Sequence, residues 1–124
     1  MSKKILVVDD EPDIVKVLVA RLKEHGYQCI TAGDGNKALV MAGEFMPDLI
    51  ILDIMMPGMD GTEAAQKLRE NPRTKDIPII FLSALQTKSN EKQDGDKSGG
   101  NIILAKPFDI NVLVAKIKKM TSGD

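Results

Sequence analysis

With Cys29 as its one cysteine, the 124-residue chain can form no internal disulfide. No charged-then-apolar leader precedes Ile5, and the two absences together suit a reducing cytoplasm. No apolar run approaches the roughly 18 residues needed to cross a bilayer, so a membrane span is excluded and a soluble protein is expected. Net charge is almost missing too. Seventeen Lys and Arg against eighteen Asp and Glu leave −1, which offers a polyanion no global attraction and argues against direct nucleic-acid binding. Internal repeats, linkers and low-complexity tails are also absent. What remains is a chain 43% hydrophobic, long enough to bury a real core as one domain over residues 1–124.

Short apolar runs that stop abruptly at a polar residue organise this chain. Lys4-Ile5-Leu6-Val7-Val8 ends in Asp9-Asp10-Glu11, and Pro12 follows. Pro12 suits the first turn of a helix, which Asp10 or Glu11 can cap. Ile14, Val17, Leu18 and Leu22 then supply a helical stripe that stops near His25 and Gly26. A second strand is read at Cys29-Ile30-Thr31-Ala32. Gly33 to Asn36 is turn chemistry, and Ala38, Leu39, Ala42 and Phe45 form the next stripe, halted near Pro47.

The third run, Leu49 to Leu52, delivers Asp53, and a Pro- and Gly-punctuated loop leads to Asp60. With Glu63 three positions on, Asp60 resembles a capping box. Ala64, Ala65 and Leu68 face inward from the helix it opens, and Asn71-Pro72 closes that helix. A fourth strand, Ile77 to Leu82, ends at Ser83. Residues 86–101 then contain no apolar side chain and three glycines, which predicts a short, mobile or partly helical segment. A fifth strand, Ile102 to Ala105, ends at Lys106-Pro107-Phe108. Asp109 can cap a last helix with Ile110, Leu113, Val114, Ile117 and Met120 inside. Strand and helix thus alternate five times, which predicts an α/β fold with a parallel sheet covered on both faces.

The chemistry sits at the strand ends: Asp9 and Asp10, Asp53, Ser83 and Lys106. If the strands are parallel, these groups converge on one edge, where open α/β sheets bind ligands. Carboxylates brought together repel unless a cation lies between them. Hard oxygen ligands beside water favour Mg²⁺. Lys106 adds a mobile positive charge and Ser83 a hydroxyl that can donate to an oxyanion. The set suits an aspartate, Asp53, that accepts a phosphoryl group, because that transfer depends mostly on positioning and charge neutralisation.

Four motifs carry a resemblance along nearly the whole chain. Val7-Val8-Asp9-Asp10-Glu11-Pro12, Leu52-Asp53-Ile54-Met55-Met56-Pro57-Gly58-Met59-Asp60-Gly61, Ser83-Ala84 and Lys106-Pro107-Phe108 are together similar to the receiver domain of two-component response regulators. The resemblance implies a flavodoxin-like (βα)₅ fold with strand order 2-1-3-4-5, and phosphotransfer to Asp53 from a sensor histidine kinase or a phosphotransfer protein. It further implies that Asp10, Asp53 and the Met55 carbonyl bind Mg²⁺ directly, that Asp9 acts through water, and that Lys106 pairs with the acyl phosphate. Ser83 would move toward the phosphate as the start of a switch.

Two features depart from the family. Ile103 stands where an aromatic switch residue is usual, and residues 86–101 occupy the place of a helix on the usual output face. Both favour, as the alternative, a phosphorylation-independent interaction module on the same fold. A flavin site is disfavoured because Asp9-Asp10-Glu11 would repel its phosphate, and a haloacid-type phosphatase because Met55 stands where a second acid is needed. His25 reads as a surface residue, Cys29 as a small core hydrophobe, and Met55, Met56 and Met59 as loop packing or a contact surface. The chain is expected to be a stand-alone regulator or an excised receiver, with its downstream protein target open.

Overall fold

The computed structural model describes residues 3–56, 58–83, 102–105 and 109–121. Five strands, β1 (Lys4–Val8), β2 (Gln28–Ala32), β3 (Leu49–Asp53), β4 (Ile79–Ser83) and β5 (Ile102–Ala105), form one sheet in the order β2-β1-β3-β4-β5. Every pairing is parallel. The helices among the described residues are α1 (Pro12–Glu24), α2 (Gly35–Phe45), α3 (Gly61–Glu70) and α4 (Ile110–Thr121). None of the described helices is long and apolar enough to cross a membrane. The segment of residues 86–101, expected to be short, mobile or partly helical, lies outside the described residues, as does Lys106.

Unbroken apolar strands are what a sheet covered on both sides requires. Alternate residues point to opposite faces, and the core divides accordingly. Leu6, Val8, Ile50, Leu52, Ile79 and Phe81 pack with Ala38 and Ala42 of α2 and with Ala64, Ala65 and Leu68 of α3. Ile5, Val7, Leu49, Ile51, Ile80 and Leu82 pack with Leu18 and Leu22 of α1 and with Leu113, Val114 and Ile117 of α4. Each large aliphatic side chain removed from water on either face contributes about 1.5–3 kcal/mol. That burial makes β3, buried at all five of its positions, a rigid mount for its last residue.

Several local expectations change. Val17 is 60% exposed, because the inner stripe of α1 runs through Ile14, Val15, Leu18, Val19 and Leu22 and position 17 falls past its edge. Phe45 lies at the end of α2 and is 41% exposed, with the Lys4 ammonium 5.8 Å from its ring centre. Helix α2 begins within the expected turn, at Gly35, because Asp34 Oδ1 accepts from the Lys37 amide at 2.8 Å. Strand β4 starts at Ile79, two residues late, since Pro78 has no N–H for the ladder. Glu11 is the N-cap residue of α1, but no side chain caps that helix. The expected cap by Asp10 or Glu11 is thus not formed. The Glu11 amide donates instead to Asp9 Oδ1 at 2.9 Å. Cys29 packs half-buried against the α1/α4 core, as read, and burial pushes its thiol pKa up.

The caps of α3 and α4 form as expected. Asp109 Oδ1 accepts from the Asn111 amide, and Asp60 Oδ1 accepts from the Glu63 amide at 2.9 Å and the Thr62 hydroxyl at 2.8 Å. The Glu63 amide, then the Thr62 hydroxyl, hold the Asp60 carboxyl below its usual range. A carboxyl lowered by folding stabilises the fold above its unfolded pKa, and the contribution disappears as pH falls through the folded value. Asp60→Asn keeps an acceptor but removes the titration. Urea midpoints from neutral pH down to about pH 2.5 should therefore show the native protein losing its advantage over D60N on acidification below the ordinary carboxylate range. A difference independent of pH would contradict the assignment.

Candidate functional site: an acidic cluster at the carboxyl edge of the sheet

All strands run the same way, so their carboxyl ends share one edge. Asp9 follows β1 directly, Asp53 is the last residue of β3, and Ser83 is the last residue of β4. Strands β1 and β3 are neighbours with Val8 paired to Leu52, which sets Asp9 and Asp53 side by side. Asp53 in turn pairs with Leu82, leaving Ser83 one step further along the same edge. Ser83 is buried.

Asp9, Asp10 and Asp53 each offer a carboxylate oxygen, and these oxygens lie within 4.8 Å of one another. Asp9 and Asp53 are each 2% exposed, whereas Asp10 is open to solvent. At that spacing two unit charges in an effective dielectric near 20 repel by roughly 3–4 kcal/mol. Backbone amides hold the buried pair in place. Glu11 N–H donates to Asp9 Oδ1 at 2.9 Å and Met55 N–H to Asp53 Oδ1 at 3.3 Å, each an aspartate bonding two residues ahead. The donor set is all hard oxygen, with no His or Cys among the three, which fits a hard cation such as Mg²⁺ rather than a soft metal. An open cavity of about 330 Å³ borders Asp9 and Asp10 and is also lined by Pro12, Lys16 and Thr31.

The structure thus brings together Asp9, Asp10 and Asp53, places Ser83 on the same edge, and ties Met55 to Asp53 through its amide. Lys106 lies outside the described residues. The backbone of Ile103 pairs with Phe81, and its side chain is outside the description as well.

Gly61 has a role that the strand-end reading missed. Its amide donates to the Ile54 carbonyl at 2.8 Å, and a Cβ there would collide with the Asp53 carbonyl oxygen and lie 2.8 Å from Ile54 Cα. The start of α3 is therefore seated on the backbone of the aspartate itself. Gly35 makes a similar close approach, where a Cβ would come 2.9 Å from the Met59 carbonyl oxygen. The available signal was a glycine directly after the Asp60 cap, where a better helix former is the usual choice.

A model of the response regulator receiver domain matches residues 5–118. The response regulator PleD of Caulobacter vibrioides is 43% identical over 121 residues, which cover 98% of this chain and 26% of PleD. The alkaline phosphatase synthesis transcriptional regulatory protein PhoP of Bacillus subtilis is 42% identical over 118 residues, covering 95% of this chain and 48% of PhoP. The chain therefore spans less than half the length of these two relatives. Among solved structures, a Francisella response regulator receiver domain superposes with a TM-score of 0.85 at 33% identity, covering 98% of both chains. The receiver domain of a Pseudomonas aeruginosa sensor histidine kinase gives 0.85 at 27% identity over 99% of this chain and 100% of that one. That protein has a magnesium ion coordinated in its active-site cleft.

Gly61→Ala forces the backbone of Asp53 and Ile54 to shift, a strain that typically costs about 1–3 kcal/mol. Gly43→Ala, in a helix with nothing within 4 Å of the added Cβ, is the control and should gain up to about 1 kcal/mol. Urea unfolding of the two variants checks the contrast, and equal effects would refute the close approach at Gly61.

Proposed function

Because this chain belongs to the receiver-domain family of two-component response regulators, we propose that Asp53 is its phosphoacceptor and that residues 1–124 work as a single receiver unit. The phosphoryl donor is a phosphohistidine on a sensor histidine kinase or a phosphotransfer protein. An Asp53 carboxylate oxygen bonds to phosphorus as the N–P bond breaks, and the imidazole departs with the bonding pair and takes up a proton. The observation that carries the reading is the cluster itself: three carboxylates within 4.8 Å at the mouth of adjacent parallel strands, two of them buried. Buried like charges are expensive, and phosphoryl transfer is a reaction that repays gathering them around a cation.

Asp10, Asp53 and the Met55 carbonyl would hold Mg²⁺ directly, and Asp9 through water. The ion would neutralise the carboxylates and the incoming phosphoryl oxygens. Asp53 presents the nucleophilic oxygen, with its other attachments fixed by the Met55 amide and by the Gly61 seat beneath its backbone. Lys106 pairs with the acyl phosphate. Ser83, at the end of the adjoining strand, donates its hydroxyl to the phosphoryl group and begins the change of output surface, with Ile103 on that same route. The target of that surface is a protein rather than nucleic acid or membrane, in keeping with the charge of −1. The phosphorylation-independent alternative gains nothing from an acid set that is present and assembled.

Acetyl phosphate with Mg²⁺ tests the assignment. Intact mass measurement should show one phosphoryl group on the native chain. Asp53→Asn should reduce the rate by about two orders of magnitude or more, and omission of Mg²⁺ should do likewise. Unchanged labelling of D53N would place the acceptor elsewhere.

A further inference from the structure

Met55 is 54% exposed, more than Met46 at 42%, while its neighbour Met56 is 7% exposed and sits in the core. Met41, Met59 and Met120 are partly buried. Exposure alone would make Met55 the first described methionine to meet a diffusing oxidant. Its position gives the exposure a consequence. The Met55 amide donates to Asp53 Oδ1, and the residue lines an open cavity of about 440 Å³ together with Ile54, Met56 and Asp60.

We propose that Met55 is an oxidative modification site, whose thioether is converted by a peroxide to the sulfoxide, and that this conversion shortens the life of a phosphoryl group on Asp53. The second half rests on the phosphoacceptor reading above. In the oxidation a sulfur lone pair attacks one peroxide oxygen. The S–O bond forms, the O–O bond breaks, and the other oxygen leaves as water once the proton has transferred. Sulfur loses two electrons and the peroxide gains them.

The product replaces a flexible apolar group by a polar one with a strong acceptor oxygen. Two things follow at this place. Asp60 lines the same cavity, and its negative charge disfavours a sulfoxide oxygen beside it, so the modified side chain has to find a donor elsewhere in the loop. Water recruited by the sulfoxide then stands beside the segment that holds Asp53, where an acyl phosphate is lost by hydrolysis. Met56, although it lines the same cavity, is only 7% exposed, so it and the core behind it meet the oxidant more slowly and keep their packing.

Peroxide treatment of the full chain, with peptide mapping over time, reads the first half. Met55 sulfoxide should form at least about five-fold faster than Met56 sulfoxide, and ahead of Met46. Phosphoryl lifetimes after acetyl phosphate labelling, before and after treatment, read the second half. The lifetime should shorten at least about three-fold in the native protein and in Met46→Leu, in proportion to Met55 sulfoxide, and change by less than about 1.5-fold in Met55→Leu. Oxidation of Met46 or Met56 ahead of Met55 overturns the site. Met55 sulfoxide with an unaltered lifetime, or an undiminished response in M55L, overturns its effect. A chain that takes no phosphoryl group even before treatment overturns the phosphoacceptor reading and the lifetime effect with it, while the sulfoxide map still decides the modification.

Discussion

Mutual repulsion among Asp9, Asp10 and Asp53 is the constraint around which the molecule is arranged. Carboxylate oxygens within 4.8 Å of one another, two of them on residues withdrawn from water, repel one another unless a cation lies between them. A domain of this size has about 5–15 kcal/mol of net stability, so a few kcal/mol of repulsion is a serious fraction. The sheet meets the load with strands buried on both faces. Leu6, Val8, Ile50 and Leu52 are locked against α2 and α3, and Ile5, Val7, Leu49 and Ile51 against α1 and α4. A shift of one residue in β1 or β3 would exchange its two faces, which pack against different helices.

The loop after Asp53 translates that rigidity into aim. Met55 fixes one carboxylate oxygen from the front, and Gly61 supports the backbone from behind. Asp60, capping α3 through the Glu63 amide, holds the helix whose first residue is that support. Cap, glycine seat and Asp53 therefore act as one unit. Strain at any of them reaches Asp53 without touching its side chain, and the same coupling gives chemical change at Met55 a route to the site.

Much of this was legible in the sequence because the physics was local. Apolar runs ending at Asp9, Asp53 and Ser83 state both a strand and its polar mouth, and parallel topology then forces the ends together. Asp60 and Asp109 were readable as caps because a cap is a matter of spacing. Less legible were features that depend on a neighbour distant in sequence. Gly61 matters because the Asp53 carbonyl lies against it, and Gly35 because Met59 does. Val17 looked like part of an apolar stripe until the sheet selected positions 14, 15, 18, 19 and 22. The acids after β1 read as caps, yet the Glu11 amide is taken by Asp9, whose position beside Asp53 no helix rule supplies. Lys106 and residues 86–101 are outside the described residues, so those readings stand on the sequence alone.

If clustered charge is the central constraint, removing one charge should strengthen the metal-free fold and abolish its response to a cation. Thermal melts of the native chain and Asp53→Asn, in chelator and across a Mg²⁺ titration, measure both at once. In chelator D53N should melt higher than the native protein, since its amide oxygen can still accept from Met55 while the repulsion is relieved. Mg²⁺ should then raise the native midpoint saturably and leave D53N nearly unmoved. A D53N midpoint below the native one in chelator, or equal Mg²⁺ stabilisation of both proteins, would contradict the account.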